Sequence, residues 1–567
     1  MLNTFARRLA ARPLERHLFF LAVTAAAILV IGYHFGTFDQ FAHIPYLKKY
    51  ANPALYPNDS FIEMRFESFS YFWRAFVPLV QLDPLDTRLL QWALLAGHVL
   101  VTYATFWVLW AVSLELFHSP LAALLSSLAF FMPHLGFAGF PVFEFSLLNR
   151  TFALPVALAA VLLYLRGRRV WAFAVLGLLF NIHIITVNFV LAMFGLDALL
   201  RWRAGGWRWL ALGGPVFLLG AAPVLIWRLT SPALTAPVNP AWFDAVSRGF
   251  LMNLFALVAP YLHINLITLA GLGTLGLYWV GRRSAPAPEH EGTVAHFIWA
   301  VIVILLVQAV TVLVYPIDLL NQLQIIRAGA FALVFGYLYF GHYLARRWEA
   351  EPGAAGDLGW LTASYIFSPM PLAPLAVLGV QRGLAAFRWR SVVAAATFLG
   401  AFALTLAVAV PLGLWAPGLH PFGPQTAWED LQRCARDNTP VDALFVTPPE
   451  KWGIYGSEWR TFSERSTVVS HAELLMIALA PRYYDAWLER FEQVAPGAMA
   501  KFAGNYFENA AITRAAYRTL TTDDLVRIAQ RYSAGYIVTE HPHDLALTPG
   551  PWACNQANPA YTIYLTP

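Results

Sequence analysis

The sequence has few charged residues. Asp, Glu, Lys and Arg together make up only 13% of its 567 residues, whereas hydrophobic residues make up 58%. Soluble domains are about one quarter charged, so this composition excludes a protein that is soluble over most of its length. Apolar runs of about 20 residues, the length needed to cross a bilayer, recur along the chain and predict a polytopic membrane protein.

Cysteine is also scarce, with only Cys434 and Cys554 in the whole chain. Both lie outside the apolar runs, and they are expected to form a disulfide if this region is in an oxidising compartment. The region around them has no Ser-His-Asp arrangement, zinc-ligand spacing or phosphate-binding glycine loop. We therefore expect it to serve recognition or structural support rather than catalysis.

Positive charge is in excess, with a formal net charge of +5. The arginines fall in short clusters between apolar runs, which is a topology signal, so we expect no nucleic-acid partner. If the N-terminus is cytoplasmic, alternation of the spans places every strong cluster on the cytoplasmic side. The clusters are Arg7, Arg8, Arg12 and Arg16; Arg166, Arg168 and Arg169; Arg201, Arg203 and Arg208; Arg282 and Arg283; and Arg346 and Arg347.

We predict about eleven spanning helices. The first apolar run is interpreted as a retained helix because no signal-peptide cleavage site follows it. The spans are placed near 17–37, 88–113, 119–137, 150–165, 170–184, 186–200, 207–228, 263–280, 295–316, 327–345 and 391–416.

The segment 358–380 leaves two alternatives open, because it is apolar but contains three prolines. As a non-spanning or re-entrant piece, it keeps the following arginines in the cytoplasm and delivers the C-terminal region to the outside. As a full span, it would place that region in the cytoplasm. We favour the first alternative. It gives a polytopic domain over 1–419, with a large first outer loop at 38–87, and an extracytoplasmic domain over 420–567.

Short buried-strand patterns alternate with helical stretches in 420–567, which predicts a small α/β domain. The fold class is therefore a mainly α membrane protein with an α/β domain at its C-terminus. Because loops on a rigid scaffold commonly carry function, candidate residues are sought in the outward-facing stretches.

The first outer loop carries Asp39, His43 and Asp59. A carboxylate at the membrane surface can act as a base or bind a metal ion, so Asp39 is a candidate catalytic residue and the other two are candidate substrate ligands. The alternative is that Asp39 caps a surface helix and that Asp59 forms a turn with Asn58.

Two further clusters contain charges at the predicted outer ends of spans. Glu144 and Arg150 form the first, where Arg150 either binds a phosphate or pairs with Glu144. His183, between two short spans, is either a polar-cavity residue or a core histidine.

Asp318, Gln324 and Arg327 form the second cluster. An arginine at a helix start is unexpected because the helix N-terminus is already positive. An anionic ligand such as a lipid phosphate would explain Arg327, and an ion pair with Asp318 is the alternative.

These features resemble the C-type membrane glycosyltransferase superfamily, which includes the protein O-mannosyltransferases and oligosaccharyltransferases. The first helix, the acidic outer loop, the polytopic bundle and the small C-terminal domain carry the general resemblance. A closer local likeness, to uncharacterised bacterial members, lies in the segments Asp39 to Phe61, Arg150 to Pro155, and Asp442 to Val469. The resemblance implies a location in the bacterial cytoplasmic membrane, with the C-terminal domain in the periplasm.

The resemblance also implies transfer of a sugar, with inversion, from a polyprenyl-phosphate donor to an extracytoplasmic acceptor. Asp39 would match the acidic residue that acts as base or positions the acceptor, and Arg327 would match, by position only, a basic residue near the carrier phosphate. If this mechanism holds, Arg150 would join Arg327 in binding the departing phosphate, and a divalent metal ion stays open. Many members have two adjacent acids in the loop, whereas Gln40 follows Asp39 here. A non-catalytic accessory subunit of a larger membrane complex is therefore the alternative. A transporter is a third alternative, for which no inverted repeat is visible.

Overall fold

The computed structural model describes most of the chain. The described residues are 2–57, 59–66, 71–84, 87–134, 142–230, 239–249, 262–314, 317–351, 354–411, 413, 415–452, 456–502 and 506–567. They form two compact units, each built from three separate segments. The helical unit comprises Met1–Tyr33, Leu95–Thr230 and Met252–Leu419, and the α/β unit comprises His34–Leu94, Ser231–Leu251 and His420–Pro567.

Six helices in the described part of the chain are long and apolar enough to cross a membrane. They are Pro13–Ile31, Arg88–Phe117, Gly206–Thr230, Glu291–Thr311, Ile325–Ala350 and Arg390–Ala409. Four predicted spans correspond instead to shorter apolar helices, which are Pro120–Phe131, Asn149–Leu165, Arg169–Phe180 and Ile184–Leu200. The prediction of a mainly helical, multi-pass membrane protein is confirmed, whereas the number of eleven spans stays a prediction.

The remaining helices of the helical unit are Leu2–Ala11, Leu262–Ser284, Asp318–Gln322, Ala355–Phe367 and Leu372–Gly383. The last two cover the predicted segment 358–380. Ser368 precedes Pro369 and is extended, with φ −93° and ψ 126°, because a proline disfavours the helical conformation of the residue before it. The proline thus separates two short helices, and the re-entrant interpretation of this segment stays a prediction.

Close packing within the helical unit depends on glycine at one contact. The helices Arg169–Phe180 and Gly206–Thr230 approach each other at Gly177 and Gly220. A Cβ atom at Gly177 would lie 2.6 Å from the carbonyl oxygen of Phe217. Small residues allow this backbone approach, as is common between membrane helices.

The α/β unit contains a four-stranded sheet. Strand Leu444–Val446 pairs in parallel with Ser466–Thr467 and with Tyr536–Glu540, which in turn pairs antiparallel with Tyr561–Leu565. Its helices of seven or more residues are Gln40–Ala51, Ser60–Phe66, Ala241–Gly249, Ala427–Asn438, Tyr484–Val494, Tyr506–Arg518 and Thr522–Tyr532, and its shorter ones are Tyr71–Arg74, Val77–Leu82, Arg460–Ser463, Glu473–Ile477 and Ala553–Gln556. The predicted strands and helices of this region are present.

A compact core lies between the sheet and the helix Ala427–Asn438. Trp428 and Leu431 from this helix pack with Phe445 and Val538 from the strands. Thr426 caps the helix by accepting a hydrogen bond from the backbone nitrogen of Trp428, which satisfies one of the free donors at a helix start.

The two cysteines form the predicted disulfide. Cys434 and Cys554 are bonded, with their Cα atoms 5.8 Å apart and a sequence separation of 120. The bond joins the helices Ala427–Asn438 and Ala553–Gln556. The pairing is confirmed, and the extracytoplasmic location of the unit stays a prediction.

The predicted boundary at 419/420 coincides with the start of the last segment of the α/β unit, His420–Pro567. Otherwise, the two units are not two consecutive stretches of the chain, as the predicted domains are. The stretches His34–Leu94 and Ser231–Leu251, both expected to belong to the domain 1–419, are part of the α/β unit. The reason is that their polar and aromatic side chains pack with the C-terminal region, as the contacts of Asp59 below illustrate.

Candidate functional site

The predicted site residues fall into two groups, one in each unit. Glu144, Arg150, His183 and Arg327 line a single cavity of the helical unit. Asp39, His43 and Asp59 belong to the α/β unit. Glu144 and Arg150 are only six residues apart in the sequence. His183 and Arg327 lie far from them, so only the fold brings the four side chains together.

Three helix starts position the residues of this cavity. Arg150 lies in the first turn of the helix Asn149–Leu165, where Thr151 Oγ1 accepts a hydrogen bond from the backbone nitrogen of Leu148 at 2.8 Å. Arg327 lies in the 3₁₀ turn Ile325–Ala328, immediately before the helix Gly329–Ala350. Helix N-termini carry partial positive charge from their free N–H groups, so this arrangement favours an anion.

His183 occupies the N-cap position of the third helix, Ile184–Leu200. Its backbone is extended, and its Nδ1 atom accepts a hydrogen bond from the backbone nitrogen of Thr186 at 3.3 Å. A ring nitrogen that accepts a hydrogen bond carries no proton. The histidine is therefore neutral and caps the helix. Its ring also lies at the wall of the cavity, so it has features of both predicted roles, the polar-cavity residue and the core histidine.

Arg150 and Glu144 form a two-contact ion pair. Arg150 Nε donates to Glu144 Oε1 at 2.5 Å, and Arg150 Nη2 donates to Glu144 Oε2. The two side chains are only 19% and 15% exposed, so little water screens the pair. The geometry shows that pairing with Glu144 is one role of Arg150, and both side chains still line the cavity.

The charged cavity adjoins a larger apolar one. The charged cavity has a volume of about 60 Å³ and is lined by Val142, Glu144, Arg150, Thr151, Leu154, His183, Ile185, Thr186, Phe189, Arg327, Ala330 and Phe331. The apolar cavity has a volume of about 220 Å³ and is lined by Ile185, Asn188, Phe189, Ala192, Val303, Ile304, Val307, Leu320, Leu323 and Ile325. Ile185 and Phe189 line both, so the two cavities are neighbours. An apolar wall ending at two arginines fits an amphiphile with an anionic head.

Gln324 and Asp318 stand near this region in the chain. Gln324 has a left-handed backbone, with φ +46°, which is uncommon for a residue other than glycine. Its side chain is buried, and its Oε1 atom accepts no hydrogen bond from the described residues. Asp318 begins the helix Asp318–Gln322, but its side chain lies outside the described part of the structure, so its predicted pairing with Arg327 stays a prediction.

The first-loop candidates have different environments. Asp39 is half-buried at the N-cap position of the helix Gln40–Ala51, where it makes no capping hydrogen bond to the helix. Gln40 is buried and accepts a hydrogen bond from the backbone nitrogen of Gly36 at 2.8 Å. His43 is buried and stacks on Trp73, with ring centroids 4.6 Å apart, so packing accounts for its position.

Asp59 lies in a buried charge cluster that the sequence did not reveal. Arg460 is the centre of this cluster: its Nε donates to Asp59 Oδ2 at 2.6 Å, its Nη1 to Glu458 Oε1 at 2.7 Å, and its Nη2 to Glu473 Oε1 at 2.9 Å. The Asp59 carboxylate also accepts from the backbone nitrogen of Ile62 at 3.1 Å. These contacts favour a structural role for Asp59 over the predicted role in substrate binding.

The cluster places three carboxyl groups around one guanidinium. The four charged side chains are at most 1% exposed. Burial raises the pKa of Glu458 to about 7 against the opposing effect of Arg460, and it also raises the pKa of Glu473. One positive charge does not balance three buried negative charges, so the cluster retains a proton at mildly acidic pH.

A second cluster missed by the sequence analysis surrounds Asp197 in the helical unit. Its carboxylate is fully buried and pairs with Tyr164 at 2.8 Å, with Arg201 at 2.9 Å and with His296 at 2.6 Å. The signal was present, because an acidic residue inside an apolar run needs a partner. Arg201 follows Asp197 by four residues and can be read from the sequence. Tyr164 and His296 come from other helices and could not be read from the run.

Metal binding finds no support among the described side chains. Within those residues, there is no group of three or more His, Cys, Asp or Glu side chains arranged to hold a metal ion.

Comparison with known proteins adds one finding. Residues 426–494 match the family model described as a domain of unknown function (DUF6798). The matched stretch includes Glu458, Arg460 and Glu473, so the centre of the buried charge cluster lies inside it. No curated protein matches the chain.

Proposed function

We propose that this protein is a membrane glycosyltransferase that takes a sugar from a lipid-phosphate donor, of the polyprenyl-phosphate type, and transfers it to an extracytoplasmic acceptor. The observation that carries the proposal is the apolar cavity that adjoins the cavity lined by Arg150 and Arg327. An apolar chain and a phosphate are the two parts of such a donor.

In the proposal, the two arginines promote the reaction as well as bind the donor. When the bond between the sugar and the phosphate breaks, the phosphate leaves with one more negative charge than it had in the donor. Cationic groups fixed in a site of low exposure stabilise this developing charge without reorganising. Arg327 and the helix starts around it are such groups, and Arg150 adds to them.

The acceptor must lose a proton when it attacks the sugar. In the proposal, Asp39 accepts that proton, as the resemblance to the glycosyltransferase superfamily implies. Its half-buried position beyond the first helix is compatible with this role. No step is assigned to a metal ion.

The proposal is tested with the full-length protein in lipid nanodiscs, supplied with lipid-phosphate sugars carrying a radioactive label. Arg327→Gln is expected to reduce transfer about 100-fold, the typical cost of removing one group that stabilises developing charge. Asp39→Asn is expected to reduce it by a factor of about 10² to 10⁴. Arg166→Gln is the control, because Arg166 is a half-exposed arginine paired with Glu115.

A second candidate function is a non-catalytic accessory subunit of a larger membrane complex. One observation favours it: Asp59, the acid that could have partnered Asp39 in the first loop, is held by Arg460 in the buried cluster. In this case the cavity would hold a structural lipid. Arg327→Gln would then release a co-purified phospholipid, whereas Asp39→Asn would change neither lipid content nor any sugar transfer.

A further inference from the structure

Four large apolar side chains of the α/β unit are exposed around the start of the helix Arg88–Phe117. Leu82 is 73% exposed, Trp92 53%, Leu89 46% and Phe422 40%. The rings of Trp92 and Phe422 meet edge to face, with centroids 5.3 Å apart. Leu89 lies three residues before Trp92 in the helix, so these two side chains share a face. We call the four side chains the apolar patch.

The turn before this helix holds Leu82 at the same end of it. Leu82 is the last residue of the helix Val77–Leu82. The next residue, Asp83, accepts a hydrogen bond from the backbone nitrogen of Leu89 through its carboxylate, at 3.1 Å, and one from the backbone nitrogen of Thr87 through its carbonyl oxygen, at 3.2 Å. These bonds fasten the end of the short helix to the first turn of the long one.

The short helix is apolar although it is largely exposed. No Asp, Glu, Lys or Arg occurs between Arg74 and Asp83. Among the six residues of the helix Val77–Leu82, all of which the structure describes, only Val80 is buried. A helix that water surrounds on most sides carries polar residues there. Contiguous exposed apolar surface marks a contact with another protein or with a membrane.

The helix Arg88–Phe117 favours the membrane as this partner. The helix has 30 residues, is apolar enough to cross a membrane, and contains no Asp, Glu, Lys or Arg between Arg88 and Glu115. At 1.5 Å per residue it is about 45 Å long, whereas the hydrocarbon core of a bilayer is about 30 Å thick. Its ends therefore reach the headgroup regions, where tryptophan is enriched. Trp92 lies in its first two turns, which sets the depth of the patch.

We infer that the apolar patch inserts into the membrane at the level of the lipid headgroups and anchors the α/β unit to the bilayer surface. At this level apolar side chains meet the acyl chains, while a charged neighbour such as Asp83 remains beside headgroups and water. The inference goes beyond the proposed lipid-phosphate site and does not depend on it, since the described lining of the two cavities contains none of the four residues.

The test uses nitroxide labels on single introduced cysteines in the full-length protein in lipid nanodiscs. Cys434 and Cys554 are the two cysteines of the chain and are bonded to each other, so the introduced thiol is the one that reacts. Leu82→Cys and Phe422→Cys report on the patch. Power-saturation electron paramagnetic resonance then measures the accessibility of each label to oxygen, which concentrates in lipid, relative to a nickel chelate, which stays in water.

Two variants calibrate this accessibility ratio. Leu219→Cys marks the hydrocarbon core, because Leu219 is exposed near the middle of the apolar helix Gly206–Thr230. Glu489→Cys marks water, because Glu489 belongs to an exposed ion pair of the α/β unit. The labels at Leu82 and Phe422 are expected to give a ratio several-fold above that at Glu489 and below that at Leu219.

Three outcomes would overturn the inference. A ratio at either patch position equal to that at Glu489 would mean that the patch faces water. Low accessibility to both reagents would mean that protein covers the patch. A ratio as high as that at Leu219 would place the patch in the hydrocarbon core instead of at the level of the headgroups.

Discussion

The buried cluster around Arg460 makes the stability of the α/β unit depend on pH. In the folded protein the pKa of Glu458 is about 7, compared with an ordinary value of 4.5. A carboxyl group with a raised folded pKa binds its proton more tightly in the folded state. The stabilisation it provides is fully present below pH 4.5 and is lost as the pH rises through about 7.

The magnitude follows from these two pKa values. Between pH 5 and pH 8, the linkage relation gives a loss of roughly 2–3 kcal/mol in the free energy of unfolding from Glu458 alone. Glu473 also has a raised pKa, so its contribution has the same sign. A change of this size is a large fraction of the stability of a typical domain.

The assay is hydrogen exchange followed by mass spectrometry, on the full-length protein in detergent at pH 5 and pH 8, after correction for the intrinsic exchange rate. Peptides from the strand Tyr536–Glu540 and from residues 456–477 report on opening of the α/β unit. Glu458→Gln mimics the protonated carboxyl group, so it is expected to remove roughly 2–3 kcal/mol of the pH dependence.

Glu489→Gln is the control, because Glu489 pairs with Arg531 in an exposed ion pair, with side chains 55% and 51% exposed. The control is expected to keep the pH dependence of the wild type. Equal stability of the wild type at pH 5 and pH 8, or an unchanged pH dependence in Glu458→Gln, would refute the argument that burial holds a proton in the cluster.

Two further predictions concern packing and cross-linking. Gly177→Val is expected to destabilise the helical unit by about 1–3 kcal/mol, because the valine side chain would meet the backbone of Phe217. The measurement is the thermal unfolding temperature in detergent. Gly195→Ala is the control, because an added Cβ there meets nothing within 4 Å, and it should leave this temperature unchanged or slightly raised. Replacing Cys434 and Cys554 by Ser opens a loop of 120 residues and is expected to lower the free energy of unfolding by about 4–5 kcal/mol. The measurement is unfolding by denaturant. An equal unfolding midpoint for the reduced and the oxidised wild type would contradict this prediction.

Individual residues of the candidate site could be predicted from the sequence, but their convergence on one cavity could not. Arg150 and Arg327 were recognisable because a charge at the end of an apolar run requires a partner or a ligand. Their convergence with His183 on one cavity depends on which helices pack together, and no local pattern contains that information. The apolar cavity beside them was not predicted at all, because its lining residues look like ordinary membrane-helix residues.

In the first outer loop, the sequence did not predict the environment of one particular residue. Asp59 has the sequence context of an exposed turn acid, and its burial could not be foreseen. Its partner Arg460 is 401 residues away in the chain. A charged residue is tolerated in a protein interior when opposite charges and hydrogen bonds replace water, and here those replacements come from the C-terminal segment.

The sequence by itself determined the features that depend on composition and on neighbouring residues. These are the long apolar helices, the helix break at Pro369, the α/β character of the C-terminal region and the availability of two cysteines for one disulfide. Each follows from the cost of exposing apolar surface, from backbone sterics or from thiol chemistry.

Only the tertiary structure decided which distant side chains meet. It grouped the loop His34–Leu94 with the C-terminal region, enclosed Asp59 against Arg460, and brought Arg327 and His183 to the cavity that Glu144 and Arg150 line. The physical reason is that a buried charge is stable only beside its counter-charge. For Asp59 that counter-charge comes from a distant segment, so long-range packing determines where it lies.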